Sequence, residues 1–192
     1  MPPTLTTDRL VLRGLEPTDA PDVHDLYSRT EVQRWIGSGR VMADLDEARE
    51  LVERRRATVL PEPMGVWAIE VEERVVGMLL LKPLPISGTP LAADPRNPEL
   101  MLESDEVEIG WHLHPDLWGR GIATEAATTV LAHARAHGLT RVVAVTHPDN
   151  VASQRVARRL GMTGTGLTDR YYDTTTTCFT LDVADARGQS GA

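Results

Sequence analysis

The spacing of apolar residues changes several times along the chain, and each change predicts an element. Leu10 to Gly14 alternates as a strand, and Thr18 or Asp19 can cap a short helix with Ala20, Val23, Leu26 and Tyr27 on one side. After a turn around Trp35 and Gly37, Asp44 with Glu47 three residues later opens a second amphipathic helix. Its Leu45, Ala48, Leu51, Val52 and Arg55 lie three or four apart, and Arg54, Arg55 and Arg56 read as its solvated end. Met64 to Glu72 and Arg74 to Leu81 predict a hairpin turning at Glu72-Glu73-Arg74. From Lys82 to Asp105, Pro83, Pro85, Pro90, Pro95 and Pro98 exclude a helix or central strand over most of the stretch. A loop that long is usually functional or mobile, and its position before Glu108 lets it cover an acceptor site. Gly119 to about His137 predicts a helix with a wide stripe of Ile122, Ala126, Val130 and Ala134 beside Ala123, Ala127 and Leu131. A strand at Arg141 to Thr146, a helix at Asn150 to Leu160 and two closing strands complete the pattern. Residues 1–183 read as one domain, and 184–192 as a polar tail.

Two segments carry chemistry. The first runs from Glu108 to Ala126 as strand, corner and helix start. Gly119 and Gly121 leave the backbone uncovered where the first helical amides have no partner inside the helix, so an anion can bind there. It matches a dinucleotide fingerprint only in part, because Thr124 stands at the third glycine position, and no Gly-Lys-Ser/Thr makes it a P-loop. Taken alone, the Gly-x-Gly is equally a tight corner that packs a helix on a sheet. The second segment runs from His147 to Met162, with Asn150 as N-cap and Gly161 as C-terminal stop.

Together, Trp118-Gly119-Arg120-Gly121-Ile122-Ala123-Thr124-Glu125-Ala126 and Asn150-x-x-Ser153-x-Arg155-Val156 resemble the motifs of the GNAT superfamily of acyl-CoA-dependent N-acyltransferases. They are most similar to the branch typified by ribosomal-protein N-terminal acetyltransferases. Thr7 to Leu15 with Asp19-Ala20 resembles the first strand and helix of that branch, and Glu31 to Trp35 its second helix. The resemblance implies an α+β fold in α/β/α layers. Its mixed, mostly antiparallel sheet splays between the fourth and fifth strands, here those ending at His114 and Thr146, and is flanked by helices.

The same resemblance implies a set of site residues. Acetyl-CoA is the co-substrate, its pantetheine lying between the splayed strands along His112, Leu113 and His114. Its pyrophosphate rests on the amides of Gly119, Arg120, Gly121, Ile122, Ala123 and Thr124, and Asn150 meets the pantetheine amides. Trp118 stands where Gln or Arg is usual, a departure that leaves the amides in place. Glu108 occupies the position of a general base, with Glu106 as rival and a solvent-facing strand carboxylate as the alternative. The tyrosine that usually assists thiolate departure is replaced by Ala157, so Ser153 is the donor offered, either as an acid or only as a helix cap. Arg155, Arg158 and Arg159 face either a 3′-phosphate or solvent, and Trp35, Trp67, Trp111, Tyr171 and Tyr172 line either an acceptor pocket or the core.

Amine basicity bears on the acceptor. A lysine amine of pKa ~10.4 needs ~4.6 kcal/mol to be neutral at pH 7, and an α-amine near ~8 only ~1.4 kcal/mol, so a modest base suffices for a peptide N-terminus. The expected acceptor is a primary amine on a protein N-terminus or small molecule. The alternatives are an antibiotic or polyamine acceptor, another acyl donor, or a silent acyl-CoA sensor. An acidic acyl group would need a basic residue in its pocket, and the sequence identifies none.

Composition narrows the partners. With 192 residues, 41% hydrophobic and 25% charged, the chain can bury a sizeable core, and a net charge of -8 argues against binding nucleic acid through its phosphates. No apolar run is long enough for a membrane span and no signal-peptide pattern opens the chain, so a cytoplasmic protein is expected. A single cysteine, Cys178, and histidines without ligand spacing imply no metal site, and a homodimer is left open.

Overall fold

A computed structural model describes residues 1–88 and 105–183, which form one eight-stranded sheet between two helical layers. A two-residue edge strand β1 (Leu5–Thr6) pairs antiparallel with β2 (Val11–Arg13), and α1 (Ala20–Tyr27), α2 (Thr30–Gln33) and α3 (Leu45–Ala57) follow. The hairpin β3 (Gly65–Val71) and β4 (Arg74–Pro83) leads to β5 (Val107–Leu113), α4 (Ile122–Ala136) and β6 (Arg141–Thr146). The chain closes with α5 (Val151–Arg159), β7 (Thr163–Thr168) and β8 (Thr176–Asp182). Residues 89–104 of the proline-rich stretch, expected to cover the acceptor site, and the tail 184–192 lie outside the described residues.

Strand order is β1-β2-β3-β4-β5-β6-β8-β7, antiparallel throughout except for β5 and β6. Because β1 is an additional edge strand outside β2, the fourth and fifth strands of the expected fold, counted from β2, are β5 and β6 here. These parallel neighbours pair only at Glu108 and Val143, so they diverge toward Leu113 and Thr146. That single pairing is the splay the resemblance implies.

Both faces of the sheet are covered, which is why β3 and β4 are buried almost end to end instead of alternating with solvent. Val66, Ala68, Met78 and Leu80 pack under α1 and α3, while Trp67, Ile69, Leu79, Leu81 and Ile109 pack under α4. The alanine stripe expected on α4 is buried at Ala123, Ala126, Ala127 and Ala134, and such small side chains bring the helix axis close to the sheet. The hairpin turns at Glu72 and Glu73 with φ of 50° and 64°. Asp44 caps α3 by accepting from the Glu47 amide at 3.0 Å. Asp19 does not cap α1 with its side chain; its carboxylate takes two bonds from Arg13, at 2.8 and 2.9 Å, and one from the Glu16 amide.

Candidate active site

The period-two geometry of β5 divides the site between the two faces. Val107, Ile109 and Leu113 join the core under α4. Glu108, Gly110 and His112 point the other way, opposite Lys82, Leu80 and Met78 of β4, on the face of α1 and α3.

On the α4 side, a one-turn 3-10 segment at Pro115–Leu117 leads into the corner. Gly119 and Gly121 have φ of 75° and 80°, a region costing an L-residue roughly 1–2 kcal/mol, and a Cβ at Gly119 would meet nothing within 4 Å. Conformation and openness, not packing, are what require glycine there. No side chain caps α4 and its first internal bond runs from the Glu125 amide to Gly121, so the amides of Ile122, Ala123 and Thr124 have no partner within the helix. Such a terminus suits a diphosphate. Glu125, in that first turn, would repel one, but Arg9 donates to its Oε2 at 2.8 Å through Nε and to the Arg120 carbonyl at 3.2 Å. Thr7 donates to Oε1 at 2.5 Å. Partial burial pushes the Glu125 carboxyl up, and the Thr7 and Arg9 bonds more than reverse it, so the group lies below its usual value. The exposed Trp118 lays its indole back on β5, donating to the Leu113 carbonyl at 2.8 Å.

Between the strands, the structure narrows the backbone expectation. The His114 amide donates to the Val76 carbonyl at 2.8 Å and the His112 carbonyl lies against Gly77, so both serve β4 and not the cleft. By strand alternation the Leu113 main chain faces away from β4, its carbonyl already accepting from the Trp118 indole. Across the splay, the Thr146 hydroxyl is buried without a hydrogen-bond partner among the described residues. Asn150 Oδ1 accepts from the Ser153 amide at 3.1 Å, the capping contact that also starts α5. The half-buried Ser153 has no side-chain bond among the described residues. Arg155, Arg158 and Arg159 are exposed, and Arg158 lies 5.4 Å from the Phe179 ring centroid.

On the α1 and α3 face, Glu108 is 7% exposed and sits in a buried triad. Lys82 Nζ lies 2.9 Å from its Oε2 and donates to the Tyr172 hydroxyl at 2.8 Å, and that hydroxyl donates to the same carboxylate oxygen. Oε1 has no hydrogen bond among the described residues, and a Cβ at Gly110 would lie 3.7 Å from it. Tyr172 reaches this place from the β7–β8 turn with φ of 60°, strained backbone for a bulky residue. Burial and the negative Glu108 push its phenol well above the usual value. His112 Nδ1 lies 2.8 Å from the Tyr27 hydroxyl, and burial holds the imidazole down to about 4, hence neutral near pH 7. Trp35 packs on His147, ring centroids 5.4 Å apart, joining the end of α2 to the end of β6.

The residues expected at the site thus divide. Glu108, Tyr172 and His112 converge. Glu106 is held elsewhere, accepting from Tyr171 and 3.6 Å from Arg170. Trp67 is core, 0% exposed, its indole donating to the Pro3 carbonyl, and the half-buried Trp111 packs against the α4-side core. Sequence reasoning missed Arg9, Lys82 and Tyr27. Only Lys82 left a signal, as a charge at the end of a long apolar strand.

Residues 9–163 match the acetyltransferase (GNAT) domain family. An uncharacterised N-acetyltransferase of Bacillus subtilis, YoaA, is 30% identical over 173 residues, 88% of each chain. The FsC-acetyl coenzyme A-N(2)-transacetylase of Aspergillus fumigatus is 30% identical over 175 residues, 90% of this chain and 70% of its own. Among solved structures, RimL, a ribosomal L7/L12 alpha-N-protein acetyltransferase in complex with coenzyme A, superposes with a TM-score of 0.73 at 20% identity, covering 95% of this chain and all of its own. With its splayed sheet, open helix start and buried glutamate in place, the chain belongs to the GNAT family of acyl-CoA-dependent N-acetyltransferases.

Proposed function

We propose that this acetyltransferase moves the acetyl group of acetyl-CoA to an α-type primary amine, on a protein N-terminus or small molecule, with Glu108 as the base. Acetyl-CoA supplies the activated acyl carbon and a thiolate leaving group. Three features of this chain fit it: unpartnered amides at the start of α4, a first-turn carboxylate already neutralised by Arg9, and a cleft edged by Leu113 and Thr146. The amine approaches from the opposite face, where Glu108, Lys82, Tyr172 and His112 stand.

The observation that carries the reading is the position of Glu108 at the last β5–β6 pairing, where the strands part. Lys82 and Tyr172 hold Oε2, fixing the carboxylate, and Oε1 takes the amine proton directly or through water. Ser153, at the first turn of α5, donates toward the departing sulfur or serves only in the cap.

A thiol-release assay over a panel of amines, beside calorimetry of coenzyme A binding, tests this. Glu108→Gln is expected to lower turnover at least tenfold on a lysine-like amine and less on an α-amine, with coenzyme A affinity nearly intact. Equal turnover by variant and parent removes Glu108 from the base role, and coenzyme A binding without turnover on any amine leaves a sensor.

A further inference from the structure

Helix α3 carries Arg49, Arg54, Arg55 and Arg56, and three of them pair within the helix. Arg49 lies 2.6 Å from Asp46, Arg54 3.8 Å from Glu50 and Arg56 3.0 Å from Glu53. Arg55 has no ion pair and no hydrogen bond among the described residues. Of the three consecutive arginines expected as a solvated end, Arg54 is exposed and Arg55 and Arg56 are half-buried. Arg55 comes three positions after Val52 and seven after Ala48, both 0% exposed, so it continues the stripe that packs on the sheet and is itself half-buried.

Ala48 and Val52 of that stripe share one buried cluster with Tyr27, Met78 and Leu80, on the face of the sheet that carries Glu108 and His112. The positive charge of Arg55 is felt at Tyr27, His112 and Tyr172, which lie on either side of Glu108. Within this group Lys82 and Glu108 neutralise each other at 2.9 Å, and His112 is neutral, so Arg55 is left as a positive charge without a counterion among the described residues. A half-buried cation with no counterion among the described residues has given up part of its hydration without an ion pair to offset it. The missing partner is an anion, and the planar fork of a guanidinium matches a carboxylate in two parallel bonds. The same charge disfavours a polycationic acceptor and makes an arriving ammonium give up its proton more readily.

We propose that Arg55 is a specificity residue that selects acceptors carrying a carboxylate close to the reactive amine, gripping the acid while the amine faces Glu108. This rests on the acetyl-transfer reading above. An amine with two or more further positive charges is a poor acceptor, and a zwitterionic or acid-flanked α-amine a good one.

The test compares amines of matched basicity that differ by one carboxylate: glutamate α-amide with glutamine α-amide, and the Ser-Asp with the Ser-Asn dipeptide amide. With wild-type protein and acetyl-CoA, the acidic member of at least one pair is expected to show kcat/KM about tenfold higher or more, mainly through KM, the selectivity of one charge-assisted contact. The small-molecule pair and the peptide pair separate the two sources of the acid. Arg55→Gln brings the ratio below about threefold, Arg55→Lys keeps part of it because charge remains without the fork, and Arg55→Glu turns preference toward a Ser-Lys dipeptide amide. A wild-type ratio within twofold in both pairs overturns the proposal whether or not any variant folds. So does a ratio that survives Arg55→Gln. Succinyl-CoA with the neutral amines forms a third arm: a preference for it over acetyl-CoA that Arg55→Gln abolishes places the acid on the donor and overturns the acceptor assignment. Thiol release without acid preference removes only the role of Arg55, whereas no thiol release on any amine removes the acetyl-transfer reading itself.

Discussion

Replacing Lys82 by Met keeps the length of the aliphatic stem and deletes the charge that Glu108 faces at 2.9 Å. Glu108 is 7% exposed, and the variant leaves its carboxylate with the Tyr172 hydroxyl as its remaining described partner. Removing one member of a buried pair costs roughly 3–5 kcal/mol, because the other charge stays behind without compensation. The hydrogen bond from Lys82 to Tyr172 at 2.8 Å disappears as well, adding roughly 1 kcal/mol. The expected loss is about 3–5 kcal/mol after partial relaxation, read as a lower urea midpoint, or a melting point about 6–20 °C lower for a domain of this size. Glu108→Gln in the same background removes the stranded charge, so the double variant should recover a good part of the loss and the cycle should show about 2–3 kcal/mol of coupling. A Lys82→Met loss under 1 kcal/mol, or single effects that simply add, refutes the reasoning and means that water reaches Glu108 freely.

The corner and the buried imidazole give two more expected outcomes. Replacing Gly121 by Val puts a branched residue at φ of 80° and crowds the amides at the start of α4, so stability should fall by about 2 kcal/mol and the Kd for coenzyme A rise tenfold or more in calorimetry; unchanged binding would detach the corner from the diphosphate. His112 has its folded pKa depressed to about 4 from 6.5, so the folded state resists its protonation. Its contribution is complete above about pH 6.5 and is lost progressively as pH falls toward 4, by at most about 3 kcal/mol. Urea titrations at pH 7 and pH 4.5 should show His112→Asn losing less stability between the two than the parent, and parallel losses would mean that His112 is solvated.

Local rules were enough for most elements. Asp44 and Asn150 cap α3 and α5 through their own side chains, and Gly121 and Gly161 adopt the positive φ that their places at helix ends require. These devices act within one turn, so residue type and spacing reveal them. The short edge strand β1, by contrast, exists only through its antiparallel pairing with β2, five and more residues along the chain.

The sequence by itself determined where the glycine corner lies, since Gly119 and Gly121 follow Glu108 in one continuous strand, corner and helix, while the choice of Glu108 over Glu106 came from the β5–β6 pairing. Tertiary structure alone decided what Glu108 is bonded to. Lys82 comes from the antiparallel neighbour, Tyr172 from a turn 64 residues downstream, and Arg9 reaches Glu125 across 116 positions. Arg55 shows the same division: beside Arg54 and Arg56 it is one of three like charges on a helix end, and only the packing of α3 on the sheet half-buries it on the face that carries Glu108. Charges act through space over a few ångströms, and the fold sets those distances between residues that no local pattern connects.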